Sequence, residues 1–266
     1  MKKPWFILFF FLIIISAACS PAPPPVESPT PAPSPTPAQA FVPDVTPRST
    51  PVATLPTPKP GALSGISIGI DPGHQSRSDR QQEAIAPGAQ ETRNRMSVGT
   101  AGVLMGAREY DITLNIARHL QRMLTASGAR VVMTRDDNHV NLSNAQRALI
   151  LSAEDLDFAV SLHCEGSNDP MQRGSFAIIS ADVEDNEALA QVLLSVYAEQ
   201  SGFAMWDDPI IKQRDNPFLN WATVPAVWLN MGCLSNPDDE SALSDIYMQE
   251  YIAYAIYIAL VSMYSS

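Results

Sequence analysis

Between Ser20 and Pro60 the chain is built largely of Pro, Ala, Ser and Thr, and this stretch holds 15 of the 23 prolines in the sequence. Proline lacks a backbone N–H and has a fixed φ, so such a segment suits neither a helix interior nor a sheet ladder. It favours extended polyproline II, in which about 40 residues would reach on the order of 100 Å at ~3 Å each. The folding problem is thereby confined to Ile66 through Tyr264, about 200 residues, a length that suits one compact domain.

Ahead of the proline-rich stretch, Lys2 and Lys3 precede an apolar run from Trp5 to Ile15. The run is too short to cross a bilayer as a stable helix and has the layout of a secretory signal. Ser16-Ala17-Ala18-Cys19 follows, which resembles a bacterial lipobox with Ser16 where Leu is usual. The expected organisation is a signal peptide over 1–18, a lipid-bearing Cys19 opening a disordered stalk over 19–62, and a folded domain over 63–266. A lipid on Cys19 would tether that domain to the outer side of the cell membrane by apolar burial. The alternative is an ordinary cleaved signal with an incidental cysteine.

With Cys19 assigned to the anchor, Cys164 and Cys233 remain, each in an apolar run beside a candidate site residue. Buried free thiols are therefore expected rather than a disulfide framework. The formal charge of −11 argues against a nucleic-acid partner, whose phosphates demand basic patches, and suits an exported, soluble domain.

Within the domain, Gly65 to Ile70 shows β-branched alternation and runs into the turn signal Asp71-Pro72-Gly73, placing His74 just past a strand end. Residues 75 to 106 are polar and poorly periodic and read as a long loop. Ile112, Ile116, Leu120 and Leu124 recur every four residues, predicting a helix over 109–126 that Glu109 opens and Gly128 ends. A strand over 129–134, a helix over 143–153 and a strand over 158–163 follow. Gly174 to Ser180 reads as a further strand, at a sheet edge, then a helix over 186–201, a strand over 224–230 and a last helix over 241–263. This alternation predicts an α/β domain, a twisted, mostly parallel sheet with helices on both faces.

Three separated residues have the chemistry for one zinc ion: His74, Glu109 and His163. A catalytic zinc typically has three such ligands and leaves a fourth position open. Period-two alternation puts Ser161, His163 and Glu165 on one face of their strand, with Leu162 and Cys164 on the other.

These residues sit in a recognisable series. Ile68-Gly69-Ile70-Asp71-Pro72-Gly73-His74, Glu109 at a helix start, Thr134-Arg135-Asp136, Ser161-Leu162-His163, Val224-Pro225-Ala226-Val227 and Gly232-Cys233-Leu234-Ser235-Asn236-Pro237 occur in that order. Together they resemble the zinc-dependent N-acetylmuramoyl-L-alanine amidases of the cell-wall hydrolase type, over roughly residues 66 to 264. The resemblance implies that His74, Glu109 and His163 are the Zn²⁺ ligands. It implies that the substrate is peptidoglycan, cut between the lactyl group of muramic acid and the L-alanine of the stem peptide.

The chain departs from the family's pattern at two positions. Asn230 stands where the family has a catalytic Glu, two residues before the late Gly, and Glu165 follows Cys164 where Ala-Asn is usual. An amide cannot take a proton, a role typically worth ~10²–10⁴-fold in rate. One reading is an exchange, with Glu165 as proton acceptor for the attacking water and Asn230 polarising the scissile carbonyl. The other makes Glu165 a solvated strand-end carboxylate and the domain a wall-binding module that has lost hydrolysis. Asp71 and Glu91 are candidates to orient the histidines, with a plain surface position the main alternative for Glu91. Arg147 is expected to pair with an acidic neighbour, the alternative being contact with a muropeptide carboxylate, and Trp221 is assigned no role.

Overall fold

The computed structural model describes residues 55–264 apart from residue 184. The expected signal peptide, Cys19 and the stalk as far as residue 54 lie outside the described residues. From Leu55 onward the chain packs on the domain: Lys59 N donates to Tyr257 Oη at 3.1 Å, and Leu63 is fully buried.

Six strands form one sheet in the order β4-β1-β5-β8-β6-β7. They are β1 (Ser67–Pro72), β4 (Arg130–Met133), β5 (Phe158–Glu165), β6 (Ser175–Ser180), β7 (Met205–Gln213) and β8 (Ala226–Cys233). Every pairing is parallel except β6 with β8, so the expected mostly parallel α/β sheet is the one observed. β6 is interior, and the edge beyond it is β7, whose sequence Met-Trp-Asp-Asp-Pro lacks the alternation that marks a strand and carries a Pro, which argues against one.

Strand alternation sorts side chains between two apolar layers. Ile68 and Ile70 of β1, Val160 and Leu162 of β5, and Val227 and Leu229 of β8 face one layer. That layer is completed by α1 (Glu109–Ala126), α3 (Asn186–Ser201) and α6 (Ile246–Tyr264). Ala159, Phe176, Ile178 and Ala226 face the other, against α2 (Asn144–Ser152) and α4 (Pro217–Trp221). Helices therefore cover both faces. The polar residues Asp71, Ser161, His163 and Asn230 occupy the second face at the C-terminal ends of β1, β5 and β8, the end at which ligands bind open α/β sheets.

Two expectations change in detail. The stretch after His74 holds a hairpin, β2 (Asp79–Ala84) and β3 (Thr92–Met96), rather than loop alone. Its strands carry no apolar alternation; polar pairs such as Gln82 Nε2 to Asn94 Oδ1 and Arg95 to Asp79 hold it together. Docking comes from Glu83, whose carboxylate accepts from Asn144 N and Ala145 N at the start of α2, and from Trp221 Nε1, which donates to Ala84 O. The last helix is also two: α5 (Pro237–Ser244) is capped by Asn236, and Asp245 breaks it from α6.

Candidate metal and active site

The turn after β1 delivers His74 with a φ of 60°, the left-handed region that a non-glycine residue rarely occupies. Two buried arginines hold the backbone there. Arg147 donates to Pro72 O at 2.8 Å and His74 O at 2.7 Å, and Arg135 to Pro72 O at 2.8 Å and Gly73 O at 2.9 Å. Arg147 also pairs with Asp71 at 2.9 Å, the acidic partner expected for it. Asp71 binds Arg147, Thr134 and Ser161 rather than a histidine, so it acts on the turn and orients no imidazole directly. Glu91 is exposed at the hairpin, as the plainer reading of it holds.

Glu109 is fixed by where its helix starts. Its Oε2 accepts from Thr100 N at 2.7 Å, and its Oε1 accepts from Cys164 N at 2.9 Å. The same Oε1 lies 3.3 Å from His74 Nε2 and 3.1 Å from His163 Nδ1. His74 Nδ1 is occupied by Ser97, at 3.1 Å from its carbonyl oxygen, which turns Nε2 inward. One ligand atom from each of His74, Glu109 and His163 thus lies within 4.8 Å of the others.

The electrostatics match that packing. Burial pulls the His163 ring down to about 4, opposed by its hydrogen bond with Glu109, so the imidazole is neutral at pH 7. Burial also lowers His74, but the Glu109 charge and the hydrogen bonds with Glu109 and Ser97 together outweigh it, and the net direction is up. Burial raises Glu109, and the two histidines more than reverse this, leaving its carboxyl well below the usual range. Two imidazoles and one ionised carboxylate are the donor set a catalytic Zn²⁺ takes, and their convergence fits one ion.

Glu165 and Asn230 line the same cavity of about 330 Å³ as His74, Glu109 and His163. A register shift between β5 and β8 falls between the pairs His163–Asn230 and Glu165–Cys233, beside the cavity. Burial raises the Glu165 carboxyl, the Glu109 charge adds to this, and a hydrogen bond from Gly166 N opposes it. Asn230 is buried, and its Nδ2 has no hydrogen-bond partner among the described residues. A buried amide donor without an acceptor costs of the order of 1–3 kcal/mol unless something arrives to accept it. Cys164 and Cys233 are buried and free, as expected.

A larger groove of about 450 Å³ adjoins the cavity and shares His74, Ser97, Ile178 and Trp228 with it. The hairpin supplies Arg93 and Asn94 to one wall, and Asp215 and Asn216 supply the facing one, with Arg93 and Asp215 paired across it. Ser97, Thr100 and Trp228 also line the cavity and are not among the residues expected from the sequence. Trp228 alone leaves a sequence signal, since period-two alternation sets it on the same strand face as Asn230.

The sequence family of N-acetylmuramoyl-L-alanine amidases matches residues 68–262 of this chain. The chain belongs to that family. Among curated amidase relatives, the probable cell wall amidase LytH of Staphylococcus aureus is 29% identical over 204 residues, covering 75% of this chain and 59% of the relative. Its counterpart in Staphylococcus epidermidis is 27% identical over 205 residues, covering 77% and 60%. This chain thus spans about 60% of the length of those relatives. Among solved amidases, Ami1 of Mycobacterium smegmatis superposes with a TM-score of 0.69 at 25% identity, over 75% of this chain and 97% of that one. Ami1 of Mycobacterium abscessus, at 24% identity and a TM-score of 0.70, has the same fold.

Proposed function

We propose that this chain is a zinc-dependent N-acetylmuramoyl-L-alanine amidase that cleaves peptidoglycan outside the cytoplasmic membrane. It is held there by a lipid on Cys19 after removal of residues 1–18, at the end of the proline-rich stalk. The observation that carries the activity is the convergence of His74, Glu109 and His163 within 4.8 Å, in one cavity with Glu165 and Asn230. Family membership supports the same substrate and bond.

His74, Glu109 and His163 are the residues that hold the ion. A bound Zn²⁺ supplies Lewis acidity toward the scissile carbonyl and lowers the pKa of water towards ~7. Glu165 accepts the proton of the attacking water and passes it to the departing L-alanine amine. Its raised pKa brings it closer to the operating pH, which suits that exchange. Asn230 Nδ2 donates to the carbonyl oxygen as negative charge develops on it; the absence of any other partner among the described residues leaves this donor free for the task. Ser97 and Thr100 keep His74 and Glu109 aligned throughout. The adjoining groove, with Arg93, Asn94, Asn144 and Asn216 along it, is where the muropeptide lies.

Digestion of purified peptidoglycan followed by mass spectrometry of the soluble products tests this. The expected products are stem peptides with a free amino group on L-alanine and glycan strands with intact lactyl groups. Binding to sacculi without peptide release would instead support a wall-binding module, the reading that Asn230 in place of the family Glu favours.

A further inference from the structure

The imidazole of His163 is enclosed on both faces. The Trp228 indole lies on one, with ring centroids 3.4 Å apart and planes inclined by only 6°. On the other is the backbone of Gly73, where an added Cβ would fall 2.2, 2.4 and 2.5 Å from Cε1, Nε2 and Nδ1 of the ring. Near-equal distances to three ring atoms place that point over the face of the imidazole and not beyond its edge. A point on the Trp228 side at that height would meet indole atoms first. The nearest atoms all belong to His163, so Gly73 and Trp228 lie on opposite faces. His163 stands in a slot.

The slot follows from register. β5 and β8 pair Ser161 with Trp228 and His163 with Asn230, so the indole rises one strand over and two residues back, on the same face as the imidazole. A histidine χ2 is ordinarily broad, because its terminal torsion has shallow wells. Between a glycine backbone and a flat indole that freedom is gone. The ring is held to one plane, and in it Nδ1 faces Glu109, with the His74 ring edge-on at 4.7 Å and 83°. The negative π-face of the indole also lies against a ring that becomes electron-poor once a cation is bound, which favours coordination.

We infer that Trp228 is a positioning residue for the metal site: it fixes the plane of His163, with Gly73 as the opposite wall, and so sets the affinity for the ion. The inference rests on the zinc reading above and deepens it. Partners that orient metal ligands typically change metal affinity ~10–100-fold when removed, and Trp228 is assigned an effect of that order.

The test uses the mature full-length chain, stripped of metal, with Zn²⁺ affinity measured by chelator competition for wild type, W228F, W228L and W228A. W228F keeps a flat ring and binds close to wild type. W228L and W228A lose ~10–100-fold while the metal-free proteins still unfold cooperatively; W228L carries the comparison should W228A fail to fold. Titration with Cu²⁺ quenches tryptophan emission strongly in wild type, and W228F loses most of that quenching although Trp206 and Trp221 remain. Wild-type affinity in W228L overturns the inference, as does W228F binding as weakly as W228L. Should wild type itself bind no Zn²⁺, the zinc reading fails and this inference with it; zinc binding that is indifferent to residue 228 sinks this inference alone.

Discussion

Arg147 and Asp71 form a buried ion pair, Nη1 to Oδ1 at 2.9 Å, directly behind the turn that presents His74. The same guanidinium reaches two carbonyls of that turn, so one side chain joins strand β1, helix α2 and the backbone strained at His74. Removing one partner of a buried pair leaves an uncompensated charge and costs about 3–5 kcal/mol. Arg147→Ala is expected to lose stability of that order in urea unfolding. Arg147→Lys is expected to recover only part of it, because an ammonium cannot span Asp71 and the carbonyls as a planar fork does.

The pH dependence of stability follows from Asp71. Burial raises its carboxyl, while Arg147, Thr134 and Ser161 together outweigh burial, so the folded value lies below 3.8. A depressed carboxylate contributes stability that is fully present above the unfolded pKa and is lost as pH falls through the folded one. Metal-free wild type should therefore lose stability as pH drops below about 3.8. In Asp71→Asn the stability at neutral pH starts lower and the fall across that window is shallower. Parallel curves for the two proteins would contradict the assignment.

Glu165 and Asn230 separate by kinetics. Glu165→Gln should cut kcat ~10²–10⁴-fold with zinc content unchanged. Asn230→Ala should lower kcat ~10²–10³-fold, as loss of one donor to a developing oxyanion does, with KM little altered. Wild-type turnover in Glu165→Gln would end the exchange of roles between these two positions.

Gly99 lies against both Glu109 and His74. It has a φ of +78°, and a Cβ there would fall 2.6 Å from Glu109 Oε2 and 2.7 Å from His74 Cδ2. Gly99→Ala is expected to cost about 1–2 kcal/mol in backbone strain. Its larger effect is displacement of Glu109 and His74, read as weakened zinc binding by a protein that still folds.

What the sequence reveals and conceals here has physical causes. Strands β1, β5 and β8 are buried and apolar, so composition exposes them, and period-two alternation alone puts His163 opposite the Leu162 and Cys164 core face. Helix α1 was legible to the residue because Gly128 and the fourfold apolar repeat bound it. The β2–β3 hairpin and β7 were not, since side-chain pairs and contacts to α2 and α4 stabilise the hairpin, and neither element has a local apolar pattern. The three candidate ligands could be named from the sequence, but Thr100 orients Glu109 through a backbone N–H that carries no side-chain signature, and Ser97, which meets His74 Nδ1 with both its carbonyl and its hydroxyl, is one polar residue among many in its stretch. The slot around His163 needed the relative heights of β1, β5 and β8.

The central proposal is that the cluster of His74, Glu109 and His163 makes the domain a metal-dependent hydrolase. The most direct measurement is the rate of stem-peptide release from purified peptidoglycan by metal-free protein as Zn²⁺ is added back. Release is expected to be absent without metal and to rise linearly to a plateau at one Zn²⁺ per chain, with His163→Ala flat throughout. Equal release by metal-free and zinc-loaded protein, or none at any zinc level, would contradict it.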